Sequence, residues 1–338
     1  WLRAYLNEIK RVSEKTSNRI LNSVFFGGGT PSLIEPSIIG DVLNEIQKHW
    51  KTKNNFEVTL EANPGSVDAK NFKAYKEAGV NRTSMGIQSL NTKDLKALGR
   101  THTVEEALAA FEIARQNFKA VSFDLIYARQ NQNINQWEKE LSLALSLEAS
   151  HMSLYQLTIE QGTAFGERYN RGLLKGLPND DTSADMYDLT LSLCEDRGLV
   201  SYEVSNYAHE GYESIHNLIY WRYGDYIGIG PGAHGRLTID GKKYATDTVL
   251  SPEAWLKKVE CDGSGESNSV ELTDQQQAAE FVMMGLRLKE GINYQRFKNL
   301  SGSAFSKTKL NFLKDLNLIE EKDGYIATTN SGRKVLNS

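Results

Sequence analysis

The chain has 338 residues, 40% of them hydrophobic and 24% charged, with a net charge of -4 and two cysteines, Cys194 and Cys261. This suits one large globular domain plus a smaller one, and it excludes a membrane-spanning segment, a disulfide framework and a Cys-only cluster site. No basic stripe marks a nucleic-acid binder and no secretory signal is visible, so a cytoplasmic protein that binds no nucleic acid is expected.

Leu2, Tyr5, Leu6, Ile9 and Val12 recur at helical spacing, and the strand Ser23–Phe26 follows. It runs into Gly27-Gly28-Gly29-Thr30-Pro31, a loop with no side chains to block a ligand's approach to the backbone. The loop is neither a P-loop, which needs Lys and Ser or Thr after its last Gly, nor a dinucleotide fingerprint, whose glycines are spread out. Val42, Leu43 and Ile46 mark a helix. Phe56, Val58 and Leu60 alternate as a strand. Phe72 and Tyr75 sit on a helix ending near Gly79, before the strand Arg82–Ile87. Val104 to Ala114 is helical, Val121–Tyr127 a strand, Trp137 to Leu145 helical and Met152–Leu157 a strand. Five strands separated by helices predict a parallel sheet. The leading helix lacks a strand before it, so a parallel barrel short of its first strand is expected.

The second half differs. Gly162–Pro178 reads as a Gly-rich loop, Thr182 to Arg197 as a helix, Tyr202 to Gly235 as a Tyr- and Gly-rich region, and Cys261–Ser269 as a polar linker. Asp274–Leu288 and Lys307–Leu316 read as helices, and residues 324–329 as a short strand. Together these last elements suggest a winged-helix appendage, whose acidic Glu320-Glu321 does not suggest DNA. The division expected is 1–160 for the partial barrel, 161–262 for its completion and 270–338 for the C-terminal domain.

In a parallel barrel the ligand site forms at the carboxyl ends of the strands. Glu61-Ala62-Asn63-Pro64-Gly65 and Gln88-Ser89 end two strands, Asp124 lies within a third, and Gln156 and Glu160 follow along the fifth. Any one carboxylate could be a turn cap or an ion-pair partner. Their recurrence at one end of successive strands favours a site, because a buried carboxylate costs several kcal/mol unless it is paired.

The Gly-Gly-Gly-Thr-Pro loop, Glu61 to Gly65, Gly79 to Arg82 with Gly86 to Ser89, Leu98-Gly99-Arg100-Thr101-His102 and Phe123 to Ile126 closely resemble radical S-adenosylmethionine (SAM) proteins, in their coproporphyrinogen III oxidase-like group. Tyr155 to Glu160, His216-Asn217-Leu218-Ile219-Tyr220-Trp221, Gly224 to Gly230 and Gly232 to Gly235 are similar to the heme-chaperone branch of that group. The resemblance runs in order along nearly the whole chain. It implies a partial (β/α)6 radical SAM barrel with a small C-terminal helical or winged-helix domain of the coproporphyrinogen-oxidase type.

The resemblance also implies SAM, heme and a [4Fe–4S] cluster held by three Cys after the first barrel strand. That Cys loop is absent here. With a start at Trp1, this predicts a piece of a longer protein, and a chain that holds no cluster as written. Gly28, Gly29 and Thr30 would meet the methionine end of SAM, Glu61 and Gln88 its sugar and sulfonium, Arg100 a carboxylate, and Asp124 would complete the set. The family has Pro shortly after Asp124, where this chain has Ala128-Arg129-Gln130; a looser loop is expected. His216 would supply the heme iron's axial nitrogen, with Tyr220 and Trp221 stacking on the porphyrin. His102, His151 and His209 have no comparable context, and His234 sits in a Gly-rich stretch. The function implied is heme binding and transfer to hemoprotein clients. The alternatives are oxygen-independent coproporphyrinogen III dehydrogenation by radical SAM oxidative decarboxylation, or a scaffold without cofactor chemistry.

Overall fold

A computed structural model describes residues 1–67, 69–159, 161–162 and 164–336. Helices and strands alternate through the first half as α1 (Leu2–Thr16), β1 (Ile20–Phe26), α2 (Pro36–His49), β2 (Lys51–Ala62), α3 (Ala69–Glu77), β3 (Arg82–Gln88), α4 (Thr92–Ala97), α5 (Val104–Asn117), β4 (Ala120–Tyr127), α6 (Ile134–Leu145) and β5 (His151–Gln156). Helix starts follow local chemistry. Thr103 with Glu106 closes a capping box on α5, and Asn133 with Gln136 closes one on α6, satisfying first-turn N–H groups that have no partner within the helix. Strands β1 to β5 lie side by side in chain order, each pair parallel.

Side chains alternate across a strand, and here the alternation sorts them by polarity. Val58, Leu60, Met85, Ile87, Phe123, Leu125, Met152 and Leu154 share one core with Phe72, Phe111, Trp137 and Met186 of the covering helices. Trp137 is fully buried, and its indole N–H donates to Thr190 Oγ1 at 2.8 Å. Each such large apolar side chain contributes about 1.5–3 kcal/mol by leaving water. The intervening positions, Glu57, Glu61, Arg82, Ser84, Ser122, Asp124, His151 and Ser153, fall on the opposite face. The sheet is thus a half-barrel with an apolar outside under helices and a polar inside.

After α7 (Ala164–Asn170) and α8 (Asp180–Glu195), β6 (Val200–Ser201) and β7 (Asn206–Ala208) extend the sheet antiparallel beyond β5, making seven strands rather than the five read from the sequence. Helix α9 (Ile215–Trp221) then packs against β1. Strands β8 (His234–Ile239), β9 (Lys242–Thr248) and β10 (Glu266–Glu271) form a second, antiparallel sheet, and α10 (Pro252–Asp262) seats Trp255 against Ala4 and Tyr5 of α1. The chain ends with α11 (Asp274–Gly285), β11 (Ile292–Asn293), α12 (Tyr294–Ser301), α13 (Lys307–Asp315), β12 (Ile319–Lys322), β13 (Tyr325–Thr328) and α14 (Asn330–Lys334). These strands pair in the order β11-β13-β12 over a core of Phe281, Ile292, Leu310 and Ile326. No described helix is long and apolar enough to cross a membrane.

Two expectations are corrected. The stretch 162–178 contains α7, whose mostly exposed residues leave no apolar period to read. The polar run 261–269 is no linker: it ends α10 and begins β10, which pairs with β9. An exposed edge strand needs no apolar face, so its composition imitates a loop.

The polar inside is bonded rather than empty. Arg82 Nη1 reaches Glu57 Oε2 at 3.4 Å, and Arg82 Nη2 reaches Ser122 Oγ at 3.4 Å. Ser122 Oγ lies 2.9 Å from His151 Nδ1, and His151 Nε2 lies 2.8 Å from the Tyr202 hydroxyl. Burial holds His151 far below the usual imidazole range, so it stays neutral. Glu57 also accepts the backbone N–H groups of Ile215 (3.1 Å) and His216 (3.0 Å), fastening the start of α9 to the half-barrel. Removing one partner of a buried charge pair strands the other. Glu57→Ala is therefore expected to lower stability by about 3–5 kcal/mol, and Glu57→Ala/Arg82→Met by less than Glu57→Ala alone. Urea unfolding checks this; a double variant as unstable as the single one would contradict the pairing.

Candidate cofactor-binding site

The loops after β1, β2 and β3 and the middle of β4 meet at one cleft. Gly29, Thr30, Glu61, Gln88, Arg100 and Asp124 line its volume of about 260 Å³ together with Asn63, Ser84 and Gly86. Gly28 joins them by donating its N–H to Glu61 Oε2 at 3.0 Å. The positions read as a SAM set thus share one place. Gly28 (φ +80°) and Gly29 (φ +61°) need a conformation that favours glycine, and a Cβ added to either would meet nothing within 4 Å. That face of the loop is open to a ligand.

The acids are tuned by their surroundings. Burial pushes the Asp124 carboxyl up to about 6, against the pull of Ser153 and Ser84 hydroxyls, with the Glu61 charge adding to the rise. Asp124 Oδ2 accepts from Ser84 Oγ at 3.0 Å. Asp124 Oδ1 is buried and has no partner among the described residues. A buried oxygen without a donor is costly, so a ligand bearing hydroxyl, N–H or positive charge is the natural complement. Burial also raises Glu61, opposed by its bond from Gly28.

Gln88 sits at φ +72°, a strained position for a residue with a side chain. Its neighbours hold it there. Ser89 Oγ and the Leu90 N–H both donate to Glu140 Oε1, at 2.6 and 2.7 Å. His102 Nε2 lies 3.1 Å from the Ile87 carbonyl. Arg129 pairs with Asp94 at 2.8 Å and Glu140 at 2.5 Å. The loop in which the family places Pro is therefore pinned by a buried guanidinium, not loosened as expected. His102 and His151 likewise have structural work that the sequence reading did not find. Ser84 and Gly86 were missed too, although strict alternation from Arg82 through Gln88 would have placed them on the site face.

The heme candidates divide. His216 stacks on Phe25 with ring centroids 4.2 Å apart and meets Tyr220 at 4.7 Å; Tyr220 stacks in turn on Tyr226 at 4.1 Å. Burial pushes the His216 imidazole down to about 4, leaving it neutral at physiological pH. Its ring nitrogens make no hydrogen bond to described residues; only its backbone N–H does, to Glu57. Trp221 is not in that stack. It lies under the Arg287 guanidinium, 4.5 Å from the ring centroid, and lines a separate cleft with α11. His234 starts β8 and pairs with Asp247 at 2.5 Å. Glu160 lies outside the described residues.

Neither cysteine fits a cluster. Cys194 is buried in the core of α8, which pushes its thiol up to about 12, and Cys261 is exposed on α10. Among the described residues no group of three or more His, Cys, Asp or Glu could hold a metal ion.

Comparison with known proteins identifies the family. Residues 4–144 match the radical SAM superfamily, and residues 272–335 match the HemN C-terminal domain. The chain is 37% identical to heme chaperone HemW of Haemophilus influenzae over 98% of its own length and 85% of that protein. It is 41% identical to the mitochondrial radical S-adenosyl methionine domain-containing protein 1 of Danio rerio over 84% of its own length, and spans 65% of that relative. The solved structure of coproporphyrinogen III oxidase (HemN) from Escherichia coli, a radical SAM enzyme, superposes with a TM-score of 0.80 at 19% identity, covering 100% of this chain and 81% of that one, which shows a shared fold. The chain belongs to the radical SAM superfamily, as a member of its HemW family.

Proposed function

We propose that the protein binds heme and delivers it to hemoprotein clients, and that the cleft at Gly28, Gly29, Thr30, Glu61, Gln88, Arg100 and Asp124 holds SAM. The radical SAM family uses SAM and a [4Fe–4S] cluster. The observation that carries the heme reading is His216. Its imidazole is neutral and its nitrogens are free of protein hydrogen bonds among the described residues. That is the state in which imidazole ligates iron. The similarity to HemW of Haemophilus influenzae supports the same reading. The solved coproporphyrinogen III oxidase, at 19% identity, shares the fold, whereas relatives 33–37% identical are heme chaperones, so heme delivery is favoured over dehydrogenation.

In this reading residues 1–160 build the SAM cleft, 161–262 close the half-barrel and carry His216, and 270–338 form the C-terminal domain. SAM, when bound, supplies a sulfonium and an adenosyl group. The chain's own residues do the binding: Glu61 and Asp124 present oxygens to positive charge and hydroxyls, the glycine loop presents backbone, and Arg100 pairs a carboxylate. Cluster ligands are not among them. The relatives include mitochondrial proteins, so a cytoplasmic location is part of the proposal rather than of the finding.

His216→Ala is expected to shift the Soret band of bound hemin and weaken its binding, with circular dichroism unchanged. A folded variant with the wild-type spectrum and affinity would move the iron elsewhere.

Arg100 is exposed, has no ion pair among the described residues and lines the SAM cleft. Arg100→Ala should weaken SAM by about tenfold, the low end for a hydrogen bond to a charged group. Calorimetry showing equal affinity would remove it from the set.

Asp124 gives a pH signature. Its folded value of about 6 exceeds its ordinary 3.8, so the folded state holds the proton more tightly. The stability from that proton is complete below pH 4 and is lost as pH rises through 6. Asp124→Asn should therefore stabilise the protein by about 1–3 kcal/mol at pH 7.5 and by little near pH 4. Urea unfolding at both pH values reads the difference, and a gain independent of pH would refute it.

A further inference from the structure

A second cleft, of about 1390 Å³, lies between the carboxyl ends of β4 and β5, α8 and α14, and Arg100 lies on the wall of both clefts. Its walls differ in kind. Ile126, Tyr127, Tyr155, Leu157 and Phe165 give an apolar and aromatic side, whereas Arg287, Arg333 and Lys334 give a cationic one. Two of the cations are already matched. Arg287 meets Glu203 at 3.4 Å, and Lys334 bonds Asp188.

Arg333 is different. It is 7% exposed, reaches Ser201 Oγ at 3.4 Å from Nη1, and faces the Tyr187 hydroxyl. Its Nε has no partner, and no described carboxylate pairs with it. The Tyr187 hydroxyl, on the wall of the same cleft, is buried beside the Arg333 guanidinium and makes no well-formed hydrogen bond to a described residue. The acids around them are engaged or outside. Glu203 accepts from the Ser205 N–H and from Asn206 Nδ2, Asp188 holds Lys334, Asp180 and Asp181 are exposed on the first turn of α8, and Glu195 and Glu320, which line a neighbouring cleft with Arg333, are exposed and form no ion pair with it. A buried guanidinium without an anion is costly, and its planar fork matches a carboxylate.

Resting on the heme reading above, we infer that Arg333 and Tyr187 form a carboxylate-recognition subsite for a propionate of a tetrapyrrole. An apolar wall opposite a cationic edge complements a flat apolar ring with acidic substituents along one side. The C-terminal domain would thereby take part in choosing the ligand.

The test is absorbance titration of the protein with hemin and with hemin dimethyl ester, whose propionates carry no charge. Wild type should bind hemin about ten- to a hundredfold more tightly than the ester, the range for a hydrogen bond to a charged group. Arg333→Gln and Tyr187→Phe should each narrow that gap by weakening hemin and sparing the ester. The wild-type comparison stands even where a variant fails to fold. Equal affinity of wild type for hemin and ester overturns the subsite and leaves heme binding intact. If wild type binds neither, the heme reading falls, and coproporphyrin then decides the subsite: binding weakened by Arg333→Gln supports it, and no binding overturns it.

Discussion

Glu57 joins the two halves of the molecule. It is 7% exposed, projects from β2 into the half-barrel, and shares its oxygens between the Arg82 guanidinium and the first N–H groups of α9. Both partners suit a carboxylate: one is a cation, the other the positive end of a helix. Through this one group the start of α9 is fixed to the inside of the parallel sheet. His216, two residues into that helix, comes to rest on Phe25 of β1.

The polar inside of the half-barrel follows from the same economy of pairing. Arg82, Ser122, His151 and Tyr202 form a bonded chain deep in the sheet, and Glu61, Ser84 and Asp124 form the layer nearer the loops. The deep layer is closed within the protein. The upper layer is not: Asp124 keeps an unmatched oxygen and an elevated proton affinity. Structure below and binding above are thus divided by which oxygens already have donors.

The C-terminal domain is more than an appendage. Arg287 lies over Trp221 of α9 and meets Glu203, while Arg333 of α14 reaches Ser201 of β6. Contacts of this kind tie the domain to the half-barrel and place the half-buried Arg287 and the buried Arg333 on the cleft between them.

Local pattern by itself determined the five parallel strands and their helices, because the apolar face of each strand recurs every second residue and that of each helix about every fourth. It also placed Gly28, Gly29, Glu61, Gln88 and Asp124 at one end of the sheet, since strand direction decides which ends meet. Tertiary structure alone decided the rest. Nothing near Glu57 in sequence announces that its partners are Arg82, 25 residues on, and α9, more than 150 residues on. Edge strand β10 reads as a linker because an exposed edge carries no apolar alternation. His216 and Trp221 look like one motif in sequence, yet the turn of α9 sends them to different neighbours: five residues advance a helix by about 500°, well off the starting face. Pairing of buried charge and the direction of side chains around a short helix are long-range facts, and only the folded chain contains them.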